Sequence, residues 1–228
     1  DIIDIGGEST RPGSEPVPLL EEIARTIPVI EEISKKVKIP VSIDTYKAEV
    51  AKRALDAGAA IVNDISGLRF DPEMPKVVSQ YKVPVVIMHI KGTPKNMQAS
   101  PQYEALIPEI MDYLRVSIML AMKSGIAEDK IIIDPGIGFG KTFEHNLEII
   151  KNLHEFTLLE KPLLVGVSRK AFIGKILGDA PASERLEGTA AAVAISILNG
   201  ANIIRVHDVK KMKKVALVAD ACLHFPRL

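Results

Sequence analysis

Seven short apolar runs each end in polar side chains. The endings are Gly-Glu-Ser-Thr-Arg-Pro-Gly (7–13), Ser-Ile-Asp-Thr (42–45), Asn-Asp-Ile-Ser (63–66), Met-His-Ile-Lys-Gly (88–92), Asp-Pro-Gly (134–136), Ser-Arg-Lys (168–170) and Arg-Val-His-Asp (205–208). Residues two apart on a strand share a face. Ser42 therefore goes with Asp44, Gly166 and Ser168 with Lys170, Arg205 with His207, and Asn63 with Ile61 and Ile65. The polar set divides in two by chemistry. Asp44, Asn63 and Asp134 offer hydrogen-bond acceptors and one amide donor, which suits a flat heterocycle rich in N–H groups. Arg11, Lys170, Arg205 and His207 are donors or cations, which suits a phosphate or diphosphate. Burying such groups costs desolvation unless each finds a partner. An ion-pair network closing one end of the fold could account for any one of them; it accounts less well for the whole set, one at each strand end.

The runs that must carry these residues are Ile2–Ile5, Ile39–Ile43, Ala60–Ile65, Val83–Met88, Ile131–Asp134, Leu163–Val167 and Ile203–Val206. They are β-branched and almost continuously apolar, as parallel strands are when both faces are buried. Helical patterns lie between them. Leu20–Lys36 places Ile23, Ile27, Ile30 and Ile33 on one stripe, and Tyr103–Lys123 places Leu106, Ile110, Leu114, Ile118 and Met122 on another. Gly58, Gly125 and Gly200 stand where helix C-caps are expected. Repeated β-then-α units with no linker predict one α/β domain over residues 1–228. An open sheet would spread seven strand ends over about 29 Å, too far for one small molecule to touch them all. A TIM (β/α)8 barrel gathers them at one mouth. Only seven strands are visible, so the expectation is a barrel whose first strand and helix are absent from this chain. The edges of Ile2–Ile5 and Ile203–Val206 would then be unpaired.

Composition excludes several other classes. With 29 basic and 29 acidic residues and no basic run, the chain has no electrostatic footprint for nucleic acid or an anionic membrane. Its single cysteine, Cys222, reads as a small buried residue of the last helix and fits a reducing compartment. Gly136-Ile-Gly-Phe-Gly-Lys-Thr fails both the phosphate-loop spacing, because position 135 is proline, and the dinucleotide fingerprint, because position 141 is lysine. It reads instead as a tight turn approaching a ligand with its backbone. His89 reads as core, and His145, His154 and His224 as solvated surface. No zinc-type spacing occurs. Ser168 has no base near it in sequence that would make a nucleophile of it.

The ordered strings Asp-Ile-Gly-Gly-Glu-Ser-Thr-Arg-Pro-Gly (4–13), Ser-Ile-Asp-Thr (42–45), Asn-Asp-Ile-Ser-Gly (63–67), Asp-Pro-Gly-Ile-Gly-Phe-Gly-Lys (134–141), Gly-Val-Ser-Arg-Lys (166–170) and Arg-Val-His-Asp (205–208) resemble the dihydropteroate synthase family over nearly the whole chain. The resemblance implies that Asp44, Asn63, Asp134 and Lys170 grip a pterin, with Met88 and Phe139 lining its slot and Gly166 beside Lys170. It implies an anion pocket from Thr10, Arg11, Arg205 and His207, and a 4-aminobenzoate site from Ser168 and the Thr10–Arg11–Pro12 loop. Asp44, Lys170, Arg205 and His207 are the implied catalytic set. Diphosphate leaves the pterin methylene and the aromatic amine attacks the cation, so no protein nucleophile is required. Also implied are Mg2+, a cytoplasmic homodimer and inhibition by sulfonamides. The family's Mg2+-holding asparagine and a mobile loop would precede Asp1. The rival readings are a pterin-binding methyltransferase barrel, which leaves Arg11, Arg205 and His207 without a clear task, a Schiff-base aldolase using Lys170, and a non-catalytic pterin-binding fragment.

Overall fold

The computed structural model describes residues 1–225. All seven expected strands form, somewhat shortened: β1 (Ile3–Gly6), β2 (Val41–Asp44), β3 (Ile61–Asp64), β4 (Val85–Met88), β5 (Ile131–Asp134), β6 (Leu164–Val165) and β7 (Ile203–Ile204). The helices are α1 (Leu19–Lys36), α2 (Ala48–Asp56), α3 (Met74–Tyr81), α4 (Leu106–Lys123), α5 (Phe143–Lys151), α6 (Ala171–Ile176), α7 (Leu186–Leu198) and α8 (Val209–His224). Strands β1 to β5 pair in sequence order, all parallel. A single bridge, Ile133 to Leu163, carries the order on to the parallel pair β6–β7.

The apolar runs lack alternation because two different layers claim their residues. Val41, Ile43, Val62, Val85, Ile87, Ile131, Ile133, Leu163 and Val165 face the helices and join the principal core cluster. The intervening Ser42, Ile61, Val86, Ile132 and Leu164 face the barrel interior and border a cavity of about 720 Å³. That cavity reaches the surface between β1 and β7, where Ile3 and Ile203 also line it. Among the described residues β1 and β7 share no ladder, so the cylinder is open on that side, where an eighth strand stands in a closed (β/α)8 barrel.

Two sequence expectations need correcting. The α4 stripe holds through Leu106, Ile110, Leu114 and Ile118, but Met122 is exposed and Ala121 is buried in its place. Steps of four overshoot the 3.6-residue turn by about 40° each, so the fifth member has rotated off the buried face. Cys222 is exposed on α8, whose buried positions are Met212 and Ala219. The helix is a surface helix with a narrow apolar seam. The C-cap glycines do adopt the left-handed backbone, with φ of 87° at Gly125 and 107° at Gly200.

Candidate active site at the barrel mouth

Strand register brings the polar residues together. Gly6 lies beside Asp44, Asp44 beside Asn63, and Met88 beside Asp134. Laterally paired residues of parallel strands share a face, so these side chains enter the barrel interior at its C-terminal rim.

Arg205 follows β7 and reaches over to the opposite side. Its Nε donates to Asp4 Oδ2 at 2.6 Å and its Nη2 to Asp44 Oδ2 at 2.9 Å. Asn63 Nδ2 also donates to Asp4 Oδ2, at 3.3 Å. The other oxygens, Asp4 Oδ1 and Asp44 Oδ1, are buried and have no partner. Burial, and then the neighbouring Asp4 carboxylate, push the Asp44 pKa up to about 7 despite Arg205. Arg205, expected in an anion pocket, thus rests on the ring-side carboxylates in the free protein.

Asp134 ends β5 and accepts from Gly136 N at 2.7 Å. Burial raises its pKa, and Lys170 opposes the rise. Lys170 stands just before α6 and donates to the Ile137 carbonyl, with Nζ 4.9 Å from the centre of the Phe139 ring. Burial brings Lys170 down to about 8, against the pull of Asp134. A Cβ on Gly166 would lie 3.9 Å from both Lys170 Nζ and Arg205 Cβ, so a larger residue there would crowd the space the two cations share. Met88 forms a small apolar cluster with Ile65, Ile90 and Met97, against which Phe139 packs. The mouth therefore offers an apolar wall, carboxylates and an ammonium around one interior.

Ser168 and His207 meet at the rim. Ser168 Oγ accepts from His207 N at 3.2 Å and lies 2.9 Å from His207 Nδ1. With one lone pair of Oγ occupied by the backbone N–H, the hydroxyl hydrogen is best placed on Nδ1. This assignment leaves Nε2–H as the free imidazole donor. Burial lowers the His207 pKa most, and the positive charges of Arg169, Arg205 and Arg11 lower it further. The fold supplies the base for Ser168 that linear sequence lacks. Among the described residues no carboxylate hydrogen-bonds His207 to complete a triad, and the adjacent Asp208 accepts from Arg169 Nε and Nη2 at 2.9 and 2.8 Å. Thr10, Arg11 and Pro12 sit on the loop after β1, which touches the turn at 93–97 through Gly13 N to Pro94 O, 2.9 Å.

Sequence reasoning missed two members of this neighbourhood. Asp4 is in phase with Gly6 and lies beside Ser42, so extending the period-two argument to the first strand would have found it. Lys141 is 2% exposed; its Nζ lies 2.9 Å from His89 Nδ1 and donates to Phe139 O at 2.9 Å. Burial holds its pKa well below the usual lysine value. His89 is buried, as expected, between this lysine and the Tyr113 ring. His154 and His224 are exposed, whereas His145 completes a capping box with Thr142 at the start of α5. The glycine-rich turn is tight, as expected, and packs against the backbone after β4. A Cβ on Gly136 would fall 1.9 Å from the His89 carbonyl, and one on Gly140 2.5 Å from the Lys91 carbonyl. Those glycines allow one loop to pass against another; Gly138, against the Lys170 stem, is the one that faces the site.

Known proteins of one family resemble this chain in sequence and fold. The family model described as "Pterin binding enzyme" matches residues 1–207. The dihydropteroate synthase of Synechocystis sp. is 50% identical over 220 residues, covering 96% of this chain and 76% of that protein. The Yersinia pestis dihydropteroate synthase, solved as a sulfonamide drug complex, superposes with a TM-score of 0.94 at 41% identity, covering 97% of this chain and 80% of that one. The Xanthomonas albilineans dihydropteroate synthase, solved with 4-aminobenzoic acid, gives a TM-score of 0.93 at 38% identity, covering 99% and 80%.

Proposed function

The chain belongs to the pterin binding enzyme family, and we propose that it works there as a dihydropteroate synthase, a transferase of folate biosynthesis that joins 7,8-dihydropterin-6-ylmethyl diphosphate to 4-aminobenzoate. One observation carries the reading. Carboxylates suited to a pterin and cations suited to a diphosphate share one barrel mouth, linked by Arg205. A methyltransferase acting on a folate without a diphosphate would give Arg11, Arg205 and His207 no such task.

The roles follow from the chemistry of each group. Asp44, Asn63 and Asp134 accept from and donate to the pterin edge; Met88 and Phe139 wall its faces; Lys170, with Gly166 leaving room beside it, donates to the ring. Thr10, Arg11, Arg205 and the His207 Nε2–H bind the diphosphate. The methylene C–O bond breaks and its electron pair leaves with the diphosphate. The carboxylates of Asp44 and Asp134 stabilise the pterin cation left behind. The amine nitrogen then bonds to the methylene carbon and gives up a proton. Ser168 and the Thr10–Pro12 loop hold the benzoate at the rim. We read residues 1–228 as one pterin-binding domain of a cytoplasmic homodimer and as a sulfonamide target, in keeping with the Y. pestis dihydropteroate synthase solved as a sulfonamide drug complex.

Among the described residues no group of three or more histidine, cysteine or acidic side chains could hold a metal ion. Mg2+ bound with a diphosphate needs only one or two protein oxygens. The unpartnered Asp4 Oδ1 is a hard donor of that kind. When bound, the ion would neutralise charge on the leaving diphosphate.

The test is release of pyrophosphate from the pterin diphosphate, dependent on 4-aminobenzoate, with and without Mg2+. Release together with dihydropteroate supports the reading. Binding of both substrates without release identifies a pterin-binding protein that is not an enzyme, and no binding of either overturns the reading.

A further inference from the structure

The loop carrying Thr10, Arg11 and Pro12 is held at both ends by one buried charge cluster. Lys47, at the entrance to α2, places Nζ 2.6 Å from Glu8 Oε2, 2.6 Å from Glu22 Oε2 and 2.5 Å from the Val17 carbonyl. Glu8 Oε2 also accepts from Val17 N at 2.9 Å, and its Oε1 accepts from the Tyr46 hydroxyl. Glu22 Oε1 accepts from Thr45 Oγ1 at 2.7 Å. The Glu8 and Glu22 side chains are 6% and 1% exposed and that of Lys47 is 19% exposed. One ammonium thus sits between two carboxylates almost removed from water. Burial raises the Glu8 pKa, but the hydrogen bonds from Lys47 and Tyr46 outweigh it and bring it below its usual value.

The cluster closes the loop. Glu8 and Val17 are its two ends, and Lys47 touches both. Between them, Gly13 N to Pro94 O at 2.9 Å and an exposed Lys95–Glu15 pair at 3.0 Å are the contacts to the neighbouring turn. Glu8 is two residues from Thr10 and three from Arg11. The same lysine follows Asp44 by three residues, so it ties the loop to the strand end that carries a pterin ligand.

We propose that Lys47 is a positioning residue for the rim of the site. By holding Glu8 and Val17 it sets where Thr10 and Arg11 stand relative to Ser168 and His207, and thereby the affinity for the diphosphate and for 4-aminobenzoate. The proposal rests on the synthase reading for what the rim binds. It assigns Lys47 no contact with either substrate.

The experiment compares the wild-type chain with Lys47→Met, Lys47→Arg and the milder Glu8→Gln, which keeps a hydrogen-bonding side chain at position 8. Deuterium exchange of amides 9–16 in the free protein is the first readout. The second is KM for 4-aminobenzoate and Kd for the pterin diphosphate, against Kd for the same pterin without diphosphate. Lys47→Met should speed exchange across 9–16 and weaken the two rim ligands by about ten- to hundredfold, the loss expected when one hydrogen bond to a charged group is no longer made. Binding of the bare pterin should change by less than about threefold. Glu8→Gln should do the same to a smaller degree, and Lys47→Arg should restore most of the loss. Unchanged exchange in both Lys47→Met and Glu8→Gln overturns the proposal. So does an equal loss for all three ligands that merely follows a fall in melting temperature. An inactive wild-type chain would overturn the synthase reading; an active wild type with unaltered variants would overturn this inference alone.

Discussion

Arg205 and Asp4 meet across the open side of the barrel, Nε to Oδ2 at 2.6 Å, while the same guanidinium holds Asp44 at 2.9 Å. These contacts tie the segment after β7 to β1 and β2 on the side where, among the described residues, no backbone ladder joins β1 and β7. They also give Arg205 two tasks. In the free protein it offsets two carboxylates, and in the proposed complex it is a cation for the diphosphate. A bound diphosphate competes for a residue that is already paired, so part of its binding energy goes to separating Arg205 from Asp4 and Asp44.

Arg205→Ala and His207→Ala should therefore differ. Each should weaken pterin diphosphate binding by about 1.5–3 kcal/mol, the value of a hydrogen bond to a charged group. Arg205→Ala should also lower the melting temperature, because it leaves Asp4 and Asp44 side by side without their cation. Asp4→Asn in the Arg205→Ala background should recover some of that stability. His207→Ala should leave stability nearly unchanged. Calorimetry with pterin diphosphate and with the alcohol lacking it separates the roles, and equal losses for the two ligands would remove both residues from the anion pocket.

Asp44 should cost stability at neutral pH and above. Its pKa in the folded protein, about 7, lies above the ordinary 3.8. The folded state thus holds a proton that the unfolded chain has released. The associated stability is complete below about pH 4 and is lost as pH rises through 7. Between pH 5 and pH 8 the wild-type protein should lose about 2–3 kcal/mol from this group. Asp44→Asn should flatten that dependence while weakening pterin binding. Parallel pH–stability curves for the two proteins would show that Asp44 titrates normally.

Lys170 gives the opposite sign for stability. Its pKa is depressed to about 8, so its contribution rises between pH 8 and the ordinary lysine value and is lost as pH falls through 8. Turnover that needs the ammonium should decline over the same alkaline range. Lys170→Ala should reduce kcat about 10²–10³-fold, as loss of a positioned charged donor does. Lys170→Arg stays protonated, and whatever activity it keeps should lack the decline near pH 8. A pH–rate profile of both proteins checks this; the same alkaline limb in Lys170→Arg would assign it to another group.

The strands were legible because they follow from local rules. Parallel strands buried on two faces read as apolar runs, and period-two phasing within them set Asp44 beside Ser42 and Asn63 beside Ile61, toward the interior. Lys170, Arg205 and His207 lie past the ends of β6 and β7, where a left-handed residue such as Arg169 interrupts the alternation. The sequence could not show Ser168 on His207, which are 39 positions apart, or Lys47 on Glu8 and Glu22. Those contacts depend on how successive β/α units sit side by side, which no single window contains. The glycine-rich segment was legible as a tight turn, but the neighbour that leaves no room for a Cβ at Gly136 and Gly140, the backbone after β4, was not.

The open side should be visible in amide exchange. Alternate amides of a strand point to opposite neighbours. Ile3 N donates to Pro40 O at 3.0 Å and Ile203 N to Leu163 O at 3.1 Å, each toward a paired strand. The amides of Asp4 and Ile204, one residue on, point toward the seam between β1 and β7, where no ladder lies among the described residues. Within a single strand, then, Ile3 should be slow and Asp4 fast, and likewise Ile203 slow and Ile204 fast, by at least about tenfold. Strand β3, paired with both β2 and β4, should show no such alternation. The exposed edges and the partly open interior around Ile3 and Ile203 should also make the chain prone to associate as concentration rises, since an unpaired edge is a template for another strand. Exchange measured by NMR at two protein concentrations decides the matter. Fast Asp4 and Ile204 amides at low concentration that slow at high concentration mean the seam fills by association. Amides as slow as those of Ile3 and Ile203 under both conditions would mean the seam is already paired in solution.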